Sequence, residues 1–210
     1  MRISHKIKMF FLMSPFKRYQ YIENLYFKLK MRFFYRLFFL QSGRGSLIRK
    51  PLLLTPEFIH LGCNVFIWDA ARIEGIKNHG NQELNPKIII GDGVTIQQRC
   101  HITAAGELFI GDNCLISFDV MIQDTDHVYS DITIPVGLQP LSVNQTIIEE
   151  QCFIGSGSKI MAGSHLGKHC IVGCNSVVRG HYPDYSVLVG NPAKIIKRFS
   201  IKNSQWERNI

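Results

Sequence analysis

Of the eight histidines in the chain, His127 alone stands in the long polar stretch that runs from 123 to 147, with two acids beside it in Asp124-Thr125-Asp126-His127. Imidazole is the side chain that takes and returns a proton near neutral pH. A histidine in a polar loop with acids beside it therefore reads as a general base. Asp124 or Asp126 would orient its ring or hold an acceptor hydroxyl, although both also suit turns. His79 lies in a second polar stretch, KNHGNQELNP at 77–86, and would approach the same acceptor. His5 and His60 fall outside the regular part of the chain. His101, His165, His169 and His181 fall on or beside it, where an outward surface role is expected.

The elements that must position these loops follow a six-residue rhythm. Aliphatic residues recur at Leu61, Ile67 and Ile73, then at Ile90, Ile96 and Ile102, at Ile110, Ile116 and Ile122, and without a break from Ile148 to Val178. Glycine follows the aliphatic at Gly62, Gly91, Gly111, Gly155, Gly167 and Gly173, where it would relax the backbone. Four residues after the aliphatic comes a small residue or valine, including Cys100, Cys114, Cys152 and Cys170. A period of six fits neither a helix nor a hairpin meander. It fits short strands joined by sharp corners, three to a turn, stacked so that parallel strands bury one aliphatic column. The four cysteines then act as small core hydrophobes, and Cys63 and Cys174 fall outside that position. The stretches 77–86 and 123–147 interrupt the rhythm, as functional loops do. A two-residue slip at 104–109 reads as a bulged corner.

Residues 1–48 differ in grain, being aromatic and basic and almost without glycine. Apolar residues at 22, 25, 26, 29, 33 and 37 share one helical face within 21–38, ended by Gln41-Ser42-Gly43. This extension either caps the open end of the coil or lies on a membrane surface. The expected organisation is thus a helical extension over 1–48, the coil over 49–199, and a tail over 200–210. Twenty-four Lys and Arg against 16 Asp and Glu leave a formal charge of +8, which suits an anionic ligand. The absence of zinc-finger spacing or an RNP-like motif argues against nucleic acid. The apolar run at 9–13 is too short for a signal-peptide core, no stretch is long enough to span a bilayer, and the six cysteines read as free thiols of a reducing cytoplasm.

The closing stretch, with Ile148-Glu-Glu-Gln-Cys-Phe-Ile-Gly-Ser, Ile160-Met-Ala-Gly-Ser-His-Leu-Gly, Tyr182-Pro183 and Val189-Gly-Asn-Pro-Ala-Lys194, resembles the hexapeptide-repeat acyltransferases, in particular the maltose, galactoside and polysaccharide O-acetyltransferase branch. The resemblance spans about 61–197. It implies an all-β fold, a left-handed parallel β-helix, assembled as a homotrimer with acyl-CoA in grooves between subunits. It places the catalytic base at His127. By the same match Phe153, Gly155 and Ser156 line the pantetheine arm, Ala162, Gly173, Cys174 and Ser176 contact it through backbone or small side chains, and Lys194 and Lys197 meet the CoA phosphates. Where many relatives read Thr-Lys-Asp, this chain reads Arg179-Gly180-His181, so Arg179 would replace a missing lysine.

The function implied is acetyl-CoA-dependent O-acetylation of a sugar hydroxyl for a bacterial surface polysaccharide, by direct transfer and without a metal. Such an enzyme would be cytoplasmic, with peripheral membrane contact through the N-terminal helix as a further expectation. N-acetylation of a nucleotide-linked amino sugar is the alternative, although residues 1–48 are too short for the nucleotide-binding domain such enzymes often carry. A γ-type carbonic anhydrase would need a second histidine soon after His127, and 128–142 has none. A non-catalytic coil would not need the histidine-bearing loop.

Overall fold

Most hexapeptides close their corner in the same way. In Ile110-Gly111-Asp112-Asn113-Cys114 the isoleucine points inward, Asn113 turns the chain in the left-handed region (φ 56°), and Cys114 is buried beneath the corner. Asn64, Arg99, Asp119, Gln151, His169 and Asn175 repeat that turn, and glycine takes it at Gly93, Gly157 and Gly163. The glycine directly after the aliphatic residue has a different reason from the one expected. A Cβ on Gly111 would lie 2.6 Å from the backbone nitrogen of Glu150 in the next coil. Close stacking of coils, rather than backbone freedom, excludes a side chain there.

A computed structural model of the chain describes residues 9–208; His5 and the ends of the extension and tail lie outside that range. Strands mostly two to four residues long stack into three sheets of seven, nine and six strands, parallel except at the C-terminal end of the second. The first face runs from Gln41–Ser42 through Ile59–Leu61, Lys87–Ile90, Glu107–Ile110, Thr146–Ile148 and His165–Leu166 to His181–Tyr182. The second runs from Leu47–Ile48 to Ser186–Gly190 and continues antiparallel through Ala193–Ser200 and Gln205–Arg208. The third runs from Leu53–Leu54 through Met121–Gln123 and Lys159–Ile160 to Val177–Val178. The register keeps Ile73, Ile102, Ile122, Ile160 and Val178 in one inward ladder. Coiling starts at Gln41, which pairs with His60, inside the stretch assigned to the extension. The tail residues 205–208 form a strand.

Helix α1 spans Pro15–Phe33. Ser14 caps it, accepting from the Lys17 N–H, and proline occupies its first position. It packs on the first coil through Phe27 and Met31, both buried. Arg49 pins it, bonding to Glu23 (2.8 Å), Asn24 (2.9 Å) and Asp69 (2.7 Å) with its guanidinium between the rings of Phe27 and Trp68. The helix therefore covers the start of the apolar column. It does so with Phe27 and Met31, and the stripe selected by periodicity stays exposed.

The small inner position also carries polar satisfaction. Cys100, Cys114, Cys152 and Cys170 each donate to a backbone carbonyl, of Ser117, Glu149, Gly167 and Pro183. Ser158 and Ser164 do the same toward Gly173 and Val178, so these corner carbonyls are not left unpaired. Burial pushes the Cys100 thiol up to about 11, and a buried thiol is a poor nucleophile. Iodoacetamide at pH 8 should therefore modify Cys63 and Cys174 and spare the other four in the folded protein, as counted by intact mass. Rapid modification of a third cysteine would show that the coil is open in solution.

Candidate active site

The loop carrying His127 grows from the corner between the third and first faces, and it is rooted twice. Thr146 donates its hydroxyl to the carbonyl of Gln123 at 2.8 Å. One residue further out, the N–H of Asn144 bonds to the carbonyl of Asp124 at 2.8 Å. The Asp124 side chain turns inward and is fully buried. Its two oxygens accept the N–H groups of Ala105 and Gly106, each at 2.8 Å. That two-residue corner is the slip noted in the repeat, and it is shaped to receive this carboxylate. Burial pushes the Asp124 carboxyl above its usual range, against the opposing effect of the two N–H groups.

From this root an antiparallel hairpin, Thr125–His127 with Leu141–Val143, carries His127 outward opposite Leu141. The loop at 77–86 forms its own short hairpin, Asn78–His79 with Gln82–Glu83, and docks against the first. The amide of Gln82 donates to the Leu141 carbonyl (3.1 Å) and accepts the Leu141 N–H (2.8 Å). In this way it extends the hairpin as an added strand would. Leu84, Ala105 and Leu141 pack beneath, with Ile76 against them. Gln139, itself buried, bonds to Asp131 and to the Ile134 carbonyl and holds the distal lobe.

The two loops bring His79 and His127 together, with ring centroids 5.6 Å apart and planes at 67°. His79 Nε2 lies 3.0 Å from the carbonyl oxygen of Gln139. A carbonyl only accepts, so the contact assigns a proton to Nε2. His127 is exposed at the rim. Neither neighbouring acid orients its ring. Asp124 is committed to the coil, and Asp126 accepts both terminal nitrogens of Arg179, at 3.0 and 3.3 Å. That pair raises the Arg179 pKa through its hydrogen bonds to Asp126 and braces the hairpin against the corner two coils on.

The residues matched to the cofactor divide between two edges. Gly155, Ser156, Gly173 and Cys174 lie at the corners between the second and third faces, with Ser156 Oγ 3.3 Å from Cys174 Sγ. On the adjoining second face Phe153, Ile171, Val187 and Lys197 follow one another in register. Phe153 and Lys197 are exposed, and Lys194 pairs with Val189 two pairs further along the same strands. An apolar row ending in cations beside a glycine-lined corner fits a thin thioester arm with phosphates at its far end. Three residues sit elsewhere. Ala162 is buried on the His127 edge. Ser176 is fully buried, and its hydroxyl accepts the Gly190 N–H inside the coil. Arg179 also belongs to the His127 edge, where Asp126 holds it, and is not grouped with Lys194 and Lys197. The two edges flank the third face. Sequence reasoning did not single out Gln82 or Gln139. Their place in the two interrupting loops was the only signal, since glutamine type alone marks no role.

The bacterial transferase hexapeptide pattern (six repeats) matches residues 145–180. A protein of Escherichia coli strain K12 named as a lipopolysaccharide biosynthesis O-acetyl transferase, WbbJ, is 31% identical over 128 residues, 58% of this chain and 65% of that one. A protein of Mycobacterium tuberculosis named as an acetyltransferase is 32% identical over 155 residues, 73% of this chain and 48% of that one. The chain thus spans about half to two thirds of the length of these relatives. Among solved structures, the N-acyltransferase AntD from Bacillus cereus, in complex with dTDP and coenzyme A, superposes with a TM-score of 0.66 at 23% identity, covering 80% of this chain and 89% of that one. The likeness to AntD is one of fold. The repeat, its pattern match over 145–180 and these relatives agree in likening the chain to the bacterial hexapeptide-repeat transferases.

Proposed function

We propose that this protein transfers an acetyl group from acetyl-CoA to a sugar hydroxyl in the assembly of a bacterial surface polysaccharide, on a left-handed coil that works as a trimer. The observation that carries this reading is the convergence of the two interrupting loops on one edge, where a doubly rooted hairpin presents His127 beside His79. The likeness to WbbJ over 58% of the chain supports the acceptor class.

His127 takes the proton of the acceptor hydroxyl as its oxygen attacks the thioester carbon. The C–O bond forms, the C–S bond breaks, and His127 returns the proton to the departing sulfur. No side-chain nucleophile is needed, so transfer is direct. The acetyl donor lies along Phe153, Gly155, Ser156, Gly173 and Cys174, its phosphates at Lys194 and Lys197. Because that edge and the His127 edge lie on opposite sides of the third face, a neighbouring subunit laid on this face brings its own copy of one edge against the other. Phe118 and Phe153, both exposed in one chain, supply apolar surface for that contact.

The test is incubation with acetyl-CoA and a panel of oligosaccharides, read as one added acetyl per acceptor with matching CoA release. Acetylation of amino sugars alone, with hydroxyl acceptors untouched, would replace O- by N-transfer; no CoA release with any acceptor would end the reading. Lys194→Ala combined with Lys197→Ala should raise KM for acetyl-CoA about tenfold with little change in kcat, as for contacts made equally in ground and transition states. An unchanged KM would place the phosphates elsewhere.

A further inference from the structure

The face of α1 that docks on the coil is not its most apolar face. Ile22, Leu25, Tyr26, Leu29, Phe33 and Leu37 form the stripe that periodicity selects, and in the folded chain they remain 45–79% exposed. The helix ends at Phe33, so Leu37 lies beyond it, where Phe34, Phe38 and Leu40 are exposed as well. Between the stripe and the first coil lies a cleft of about 760 Å³. Lys28, Arg32, Arg36 and Arg44 line it, with Leu25 and Leu29 on the helix side and no acid in its wall. Lys28 and Arg32 are one helical turn apart and share a face of α1, and Arg36, in the short turn that follows the helix, lines the same cleft. Ser42, whose buried hydroxyl has no hydrogen-bond partner among the described residues, lines the opposite wall.

The charge of this end is one-sided. Residues 15–45 hold seven Lys and Arg against a single acid, Glu23, and Glu23 is committed to Arg49 and Lys50. A second copy of the chain meeting this surface with the same end would oppose cations to cations. An anionic bilayer meets it with the matching pattern, phosphates for the cationic cleft and the acyl boundary for the aromatic and leucine stripe. No helix among the described residues is long and apolar enough to cross a bilayer, so the contact lies in the plane of the interface.

We propose that this end of the coil docks on an anionic lipid surface, with lipid phosphates in the cleft of Lys28, Arg32, Arg36 and Arg44 and the stripe from Ile22 to Leu37 seated at the acyl boundary. Docking would hold both loops near acceptors carried on a membrane, and it stands independently of the acetyl-transfer reading because its readout needs no donor.

The full chain should float with vesicles of equimolar phosphatidylcholine and phosphatidylglycerol. It should stay at the bottom with phosphatidylcholine alone, and at about 1 M salt, where the screening length shrinks to about 3 Å. Lys28→Glu with Arg32→Glu and Arg36→Glu should lower the vesicle-bound fraction at least tenfold. Phe33→Ser with Leu37→Ser should lower it severalfold. Circular dichroism and light scattering should show both variants folded, with parental oligomeric mass. Equal flotation with neutral vesicles would overturn the proposal, as would none with anionic ones. So would phosphate binding to the cleft without flotation. Variants that change the oligomeric mass but not flotation would instead assign the stripe to a contact between copies.

Discussion

His127→Ala is expected to lower kcat for acetyl transfer by about 10²-fold or more, the contribution typical of a positioned general base, while KM for acetyl-CoA stays near the parental value. The separation follows from the geometry. The imidazole stands at the end of a hairpin on the edge between the third and first faces, and the residues suited to the donor lie on the far side of the third face. Truncation at Cβ removes the proton acceptor and leaves the hairpin, which is held by Thr146, Asn144 and Gln82 rather than by the ring. His127→Asn should match the alanine variant, because an amide hydrogen-bonds but does not accept the proton. His79→Ala should cost less: its Nε2 serves the Gln139 carbonyl, so its loss loosens the distal lobe and removes one contact near the acceptor. A His127→Ala enzyme that keeps more than about a tenth of parental kcat would show that another group takes the proton, and His79, whose ring lies 5.6 Å away, would be next to test.

The coil was legible in the sequence because its period is set by packing. Every sixth position must fill the column, and the position four later must fit beneath a corner, so Ile110 and Cys114 announce their places by type alone. The glycines were legible as positions but not as reasons, since the close approach at Gly111 comes from the coil above it, far along the chain. The helix shows where pattern misleads. Periodicity sets the helix at 21–38, whereas it runs from Pro15 to Phe33 behind a Ser14 cap, and the apolar stripe does not predict the docked face, because a terminal helix packs where Arg49 can pin it to Glu23 and Asn24. In the site, interruption of the rhythm located both loops. What stayed hidden was their joining through Gln82 and Leu141, a contact between residues 59 apart in sequence. The fates of the two acids were hidden for the same reason. Asp124 and Asp126 look alike beside His127, and only the third dimension turns one into the coil and the other to Arg179.

Asp124→Ala is the substitution expected to cost most in stability, about 2–4 kcal/mol, since it leaves two buried N–H groups without acceptors at about 1–3 kcal/mol each. Removing the buried carboxylate offsets part of that, because its ionised form is disfavoured there. For a chain of this size the loss corresponds to a fall in Tm of about 5–15 °C. Asp124→Asn should fall between the two, since its single carbonyl serves either Ala105 or Gly106 and its NH₂ group then faces the other N–H. The same change should reach the site. Asp124 joins the corner at Ala105 and Gly106 to the first pair of the hairpin, Thr125 with Val143, and the Val143 side chain approaches within 2.7 Å of the space a Cβ on Gly106 would fill. Without that join the hairpin is free to swing on Thr146 and Asn144, so kcat should drop while KM for acetyl-CoA holds. Thermal unfolding followed by circular dichroism and steady-state kinetics read the two effects separately. A variant that melts lower yet turns over at the parental rate would show that Asp124 serves the coil alone, and that the Gln82 contact suffices to hold His127 in place.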